Sequence, residues 1–197
     1  MMTSMTPTTD WRHRLIRPAA ERVARVFARL HISANALTVT GFLIVAGAAG
    51  LILVRETVWA GIVLAAGSLV DSFDGAVARL NGKAGKFGAM LDSALDRLSE
   101  GVVLAALIYT TAADGQPLVS ALSSMAIVFS FMVSYVRARA EGLGIPCLEG
   151  WFTRVERVVI LALGLITGYI VAALALVAGL SFFTFLQRLY IIWRRAR

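Results

Sequence analysis

The sequence predicts an all-α integral membrane protein with six transmembrane helices, both termini cytoplasmic, preceded by an amphipathic helix at the interface. Three observations carry this expectation. Of 197 residues, 58% are hydrophobic and 16% charged, against about 45–50% and about 25% in a soluble domain, so the chain has more apolar surface than a water-facing fold can hide. Uncharged stretches recur at span length, and crossing about 30 Å of hydrocarbon takes roughly 20 mostly apolar residues. With six spans, every Lys and Arg except Arg55 falls on or near one face, which the positive-inside rule makes cytoplasmic. The apolar content excludes intrinsic disorder, and the single cysteine, Cys147, excludes a disulfide scaffold. The net charge of +7 is then topology marking, and no nucleic-acid partner is expected.

The chain reads as one domain, 1–197, divided into a tail with a juxtamembrane helix (1–32) and a six-helix bundle (33–197). Met1 to Thr9 are polar, with no cleavable signal, since the first long apolar run starts too late. Trp11, Leu15, Ile16, Ala19, Val23, Val26, Phe27 and Leu30 recur at three- and four-residue spacing between arginines. That pattern suits an interfacial helix on anionic lipid, and equally a basic flank to the first span. His31 to Asn35 make a turn, with Ser33 as N-cap.

The first span runs from about Leu37 to Val54. Arg55-Glu56 turns the chain into the second, about Thr57 to Leu80, and the third is about Gly88 to Thr111. After Asp114-Gly115-Gln116-Pro117 the fourth is about Leu118 to Val136. Val158 to Leu186 form 29 uncharged residues, enough for two spans only if both draw on flanking arginines. A turn at Gly164 or Gly168-Tyr169 gives helices of about Thr153–Ile166 and Val171–Trp193. A five-span chain would put Arg188, Arg194, Arg195 and Arg197 outside, against the rule. Trp59, Trp151 and Trp193 fall near span ends, as aromatic belts do.

Five acids, Asp71, Asp74, Asp92, Asp96 and Glu100, lie inside the second and third spans. An acid near a helix centre costs about 2.5–3.5 kcal/mol on insertion scales, so four facing lipid would cost on the order of 10 kcal/mol. They must face something polar. Asp71 and Asp74 are three apart and Asp92 and Asp96 four apart, so each pair shares a helical face. The short connection, with Asn81-Gly82 and Gly85, predicts an antiparallel hairpin in which Asp74 meets Asp92, with Asp71 and Asp96 about one turn deeper.

Four converging carboxylates repel unless cations join them. Oxygen ligands without His or Cys point to Mg²⁺ or Mn²⁺, with Ca²⁺ also admitted, and four acids suffice for two ions. Such a site handles phosphates. The competing reading has the acids neutralised by Arg79, Arg97, Arg137 and Arg139, as in a transporter interior. Gly75, Ala78 and Gly88 lie on the acid-bearing face. Small residues there admit a flat ligand, or serve helix packing.

Written out, the stretch is Asp71-x2-Asp74-Gly75-x2-Ala78-Arg79-x8-Gly88-x3-Asp92-x3-Asp96, which resembles the signature of the CDP-alcohol phosphotransferases at every fixed residue and both gaps. The resemblance covers nearly the whole chain. It implies a six-helix enzyme whose aspartates hold two divalent ions, Mg²⁺ or Mn²⁺, against the diphosphate of a CDP-linked lipid such as CDP-diacylglycerol. By the same resemblance Asp71, Asp74 and Asp92 are metal ligands. Asp96 is a ligand to the second ion and the base that deprotonates the acceptor. Gly75, Ala78, Arg79 and Gly88 line the CMP site. It also implies a homodimer, for which Gly41, Gly47 and Gly50 permit close helix contact.

Beyond the signature, Ser134 to Glu141, Arg154-Val155-Glu156-Arg157 and Gln187-Arg188-Leu189 resemble the phosphatidylinositol phosphate synthases of actinobacteria and archaea. That implies inositol 1-phosphate as acceptor, its phosphate held by Arg137, Arg157 and Arg188, with Arg154 and Arg139 as auxiliaries. Three guanidiniums from three helices suit a dianion. Arg137 stands where Lys is usual, Val155 where Pro is usual, and Ala34 where Pro commonly precedes Asn35. The first change keeps charge but alters reach, so glycerol 3-phosphate or another polyol phosphate stays an alternative acceptor. A metal-ion or organophosphate transporter is the alternative from another class. It would need polar residues through the full membrane thickness, whereas stretches such as Val102 to Tyr109 are apolar. The enzyme reading places the protein in the cell membrane with its active site facing the cytoplasm. His13, His31, Cys147 and Met90 are read as bystanders.

Overall fold

The computed structural model describes residues 25, 32–80 and 85–197. The amphipathic helix expected before the first span, both histidines, and most of the connection between the second and third spans lie outside the described residues. Every regular element among the described residues is helical: α1 Ala34–Leu53, α2 Thr57–Asp71, α3 Asp74–Leu80, α4 Lys86–Ala113, α5 Pro117–Gly142, α6 Arg154–Thr167 and α7 Ile170–Arg195. Ser33 caps α1, its Oγ accepting from the Ala36 N–H at 3.2 Å. Pro117 opens α5, where its missing N–H has no helical acceptor to lose.

Four rods, Ala34–Leu53, Thr57–Leu80, Pro117–Gly142 and Ile170–Arg195, are long and apolar enough to cross a membrane, and the protein is a multi-pass membrane protein. The other two differ for reasons visible in the residues. α4 has 28 residues but carries Asp92, Asp96 and Arg97 in its first half and Glu100 at its middle. α6 has 14, which rise only about 21 Å.

The expected second span is not one continuous helix. α2 stops at Asp71 and α3 starts at Asp74. Between them Ser72 Oγ donates to the Ser68 carbonyl at 2.8 Å. The Phe73 N–H donates to the Val70 carbonyl at 3.2 Å rather than to Leu69, its partner in a regular α-ladder, a tightening to i−3 that offsets the axis.

Small residues bring the rods together. A Cβ on Gly41 would sit 2.8 Å from Asp71 Cβ, one on Gly67 2.9 Å from Val45 Cγ2, and one on Gly61 2.7 Å from the Ala162 carbonyl. On Gly164 it would overlap Ala173. Gly41 therefore serves packing within the chain, while Gly47 and Gly50 have nothing within 4 Å. The turn between the last two helices falls at Gly168, whose φ of 79° a side chain would resist.

Val45, Ala48, Ile52, Leu64, Val103, Leu104, Leu107, Leu161, Leu165, Leu174 and Val177 form one apolar core. They come from the halves of the helices nearest the loops at Arg55 and Asp114. Those two residues pair at 2.6 Å and tie the loops together. Arg55, remote from the other described cations, thus has a carboxylate partner. The intramembrane aspartates and the other described arginines occupy the opposite half.

Candidate active site

The break between α2 and α3 sets the first part of the site. Asp71 closes one helix and Asp74 opens the next, and Asp92 reaches the same point from α4. One carboxylate oxygen from each of the three lies within 4.8 Å of the others. Thr38 of α1 is buried beside them, its Oγ1 2.7 Å from Asp74 Oδ2 and 3.0 Å from the Ala34 carbonyl. Nothing in the sequence distinguishes this threonine from one that merely bonds back to its own helix, and sequence reasoning missed it.

Asp96 stands apart from the other three acids. Its Oδ1 is 2.5 Å from Arg154 Nη1, its Oδ2 is 3.3 Å from Arg97 Nη1, and the same Arg154 nitrogen is 2.6 Å from Asp71 Oδ2. Arg154, expected as an auxiliary to the phosphate-binding arginines, bridges two carboxylates and lines the same cavity as those arginines. The reason is electrostatic: two partly buried acids this close repel each other, and one guanidinium at the start of α6 compensates both. Asp71 therefore meets Asp74 and Asp92 directly rather than lying a turn below them with Asp96.

Gly75, Ala78 and Arg79 share α3 next to Asp74. Arg79, four residues on, passes over Gly75, with Nη1 3.5 Å from where a Cβ would be. Gly88 lies one turn before Asp92, its small face 3.2 Å (at the Cβ position) from Asn35 Oδ1, so it is backed by α1.

The remaining arginines converge. A cavity of about 830 Å³ is lined by Asp92, Asp96, Arg137, Arg154, Arg157 and Arg188, among others. Arg137 is paired with Glu141 at 2.9 Å on the surface. Arg157 is buried and donates two bonds to Glu100, from Nε to Oε1 at 2.7 Å and from Nη2 to Oε2 at 2.9 Å. Glu100 is the fifth acid within the spans, to which the sequence assigns no role. Its partner lies 57 residues away, a pairing no local spacing encodes. Arg188 is buried and donates from Nε to the Glu149 carbonyl at 2.9 Å and from Nη1 to the Val133 carbonyl at 2.6 Å. Carboxylates and guanidiniums thus share one chamber, a layout suited to bringing an anionic ligand alongside a cation-binding cluster.

The family described as CDP-alcohol phosphatidyltransferase matches residues 31–191. The chain is 38% identical over 190 residues to the archaetidylinositol phosphate synthase of Methanothermobacter thermautotrophicus, covering 93% of this chain and 91% of that protein. It is 36% identical over 181 residues to the phosphatidylinositol phosphate synthase of Corynebacterium glutamicum, covering 86% and 81%. Among solved structures it is similar to Mycobacterium tuberculosis phosphatidylinositol phosphate synthase (PgsA1) with CDP-DAG bound, with TM-score 0.80, 29% identity and coverage of 88% and 93%. The same protein in complex with manganese and citrate matches at TM-score 0.80 and 30% identity, covering 88% of each chain. This chain belongs to the CDP-alcohol phosphatidyltransferase family, the metal-dependent membrane transferases of phospholipid synthesis.

Proposed function

We propose that the enzyme transfers a phosphatidyl group from CDP-diacylglycerol to inositol 1-phosphate, giving phosphatidylinositol phosphate and CMP. The observation that carries this reading is one cavity lined both by Asp92 and Asp96 and by Arg137, Arg157 and Arg188. The names of the two relatives agree on the inositol phosphate product and differ in the lipid, which favours this acceptor over glycerol 3-phosphate.

The donor set fits a divalent ion. Three convergent carboxylate oxygens, with no nitrogen or sulfur among them, suit Mg²⁺ or Mn²⁺. Asp71, Asp74 and Asp92 would hold one ion, and Asp96 would join a second. When bound, the ions neutralise the diphosphate and stabilise charge at the phosphorus under attack. Asp96 takes the proton of the acceptor hydroxyl, whose oxygen forms the new bond to the lipid-bearing phosphorus as the bond to CMP breaks. Arg154 and Arg97, on either side of the Asp96 carboxylate, orient it for that role. Gly75, Ala78, Arg79 and Gly88 seat the nucleotide. Arg137, Arg157 and Arg188 hold the acceptor's phosphate, fixing its hydroxyl near the reacting centre.

The same reading has six spans, α4 and α6 included, with both termini and the active site on the cytoplasmic side of the cell membrane, in a single domain that pairs as a homodimer. The segregation of charge to the half away from Arg55 supports the orientation. A transport path would need polar groups across the full thickness, and the apolar core fills the other half.

Asp92→Asn and Asp96→Asn test the site. Each is expected to lower Mg²⁺- or Mn²⁺-dependent CMP release by at least about 10²-fold, the scale set by losing one charge-stabilising group in a transition state. Wild-type release from both variants would rule the assignment out.

A further inference from the structure

We infer that the loop between α5 and α6 forms part of the acceptor-phosphate seat, with Gly150 as the positioning residue for Arg188. This rests on the reading above that Arg188 binds that phosphate. The Arg188 guanidinium lies against the loop backbone. A Cβ at Gly150 would be 2.7 Å from Nη2, 3.1 Å from Nε and 3.2 Å from Cζ, so only glycine leaves the plane of the guanidinium its place. Gly150 is not among the glycines with positive φ, which are Gly115, Gly144 and Gly168. The backbone there is outside the left-handed region, and the three atoms nearest to an added Cβ all belong to Arg188.

The preceding residue in the loop, Glu149, supplies the other half of the seat. Arg188 donates from Nε to the Glu149 carbonyl and from Nη1 to the Val133 carbonyl of α5. A guanidinium has five N–H groups, so both hydrogens of Nη2 and one of Nη1 are left for a ligand in the cavity that Arg188 lines. The loop is itself fixed to α7. Arg195 bonds the Pro146 carbonyl at 2.5 Å and both carboxylate oxygens of Glu149, at 2.9 and 2.5 Å, and the Trp151 N–H donates to Gln187 Oε1 at 3.2 Å. The hydrogen bonds from Arg195 hold the Glu149 carboxyl below its ordinary range, so the latch is ionised at neutral pH. Gln187, Arg188 and Arg195 of one helix therefore hold the loop, and the loop in turn sets where the Arg188 guanidinium lies.

Gly150→Ala is the direct test, because its methyl meets the end of a side chain rather than backbone, so the protein should still fold, with at most a modest drop in melting temperature. In steady-state assays with CDP-diacylglycerol and inositol 1-phosphate, the KM for inositol 1-phosphate is expected to rise about tenfold or more, the scale of a lost charge-assisted hydrogen bond. The KM for the CDP-lipid and the kcat at saturating acceptor should stay within about twofold. Arg188→Ala should raise the same KM, and Gly150→Ala added to it should do nothing further. If Arg188→Ala raises the acceptor KM and Gly150→Ala does not, the positioning role is wrong and the reading of Arg188 stands. If Arg188→Ala leaves it unchanged, that reading fails and the inference with it. An equal effect of Gly150→Ala with and without Arg188, or a matching rise in the CDP-lipid KM, would also overturn it.

Discussion

Arg154 Nη1 lies within 2.6 Å of both Asp71 Oδ2 and Asp96 Oδ1, and this one contact divides the four aspartates into a cluster of three and a separate fourth. The division matches the roles proposed for them, three carboxylates for one ion and a fourth that accepts the proton and joins the second ion. Glu100 and Arg157 illustrate a different buried charge. Their bidentate pair is almost wholly removed from solvent, so each partner needs the other. Glu100→Gln leaves a buried guanidinium uncompensated and is expected to destabilise the fold by about 3–5 kcal/mol, read as a marked drop in melting temperature in detergent. Replacing both residues with Met should restore most of that loss, since a well-packed apolar pair avoids the desolvation cost. A Glu100→Gln variant as stable as wild type would contradict the buried pair. The aspartates were legible in the sequence because helical spacing places i, i+3 and i+4 on one face. The bridge through Arg154, the Glu100–Arg157 pair and the bond from Thr38 were not, since each joins helices at a distance that only packing fixes.

At the scale of elements, the approximate positions of the helices followed from the apolar runs and their flanks. Of the two glycine positions offered for the last turn, Gly164 lies within a helix and Gly168 makes the turn. The break after Asp71 did not follow from the sequence, because Ser72 and Phe73 are not helix breakers and the local competition for the Ser68 and Val70 carbonyls leaves no pattern in it. The glycines were ambiguous in the same way: sequence marks them as small without saying what each one meets. Gly61 abuts the backbone of α6, with the Ala162 carbonyl and Ile166 Cγ1 both 2.7 Å from a prospective Cβ, whereas Gly47 meets nothing. Gly61→Ala is accordingly expected to cost about 1–3 kcal/mol by overpacking. Gly47→Ala should be neutral or stabilising by up to about 1 kcal/mol through helix propensity. Thermal unfolding of the two variants in one detergent compares them directly, and equal melting temperatures would contradict the packing described for α2 on α6.

Across the whole molecule, charge and oil are separated along the helix axes. The core fills the half nearest the Arg55–Asp114 pair, and the cavity opens in the half that carries the aspartates and the remaining described arginines. This segregation suits an enzyme that meets a lipid substrate in one leaflet and a soluble one from the adjoining aqueous side. It also fixes an expected topology. The native Cys147 is fully buried, so a cysteine introduced at Gln116 should react with an impermeant thiol reagent only from outside intact cells. One introduced at Ala196 should react only after the membrane is opened. Labelling of both from outside would contradict the six-span arrangement.

The most direct test of the central claim is the choice of acceptor by the purified wild-type protein. Incubated with labelled CDP-diacylglycerol and Mn²⁺ or Mg²⁺, it should release CMP and form phosphatidylinositol phosphate with inositol 1-phosphate, and give neither with glycerol 3-phosphate. Turnover with glycerol 3-phosphate and none with inositol 1-phosphate would contradict the account.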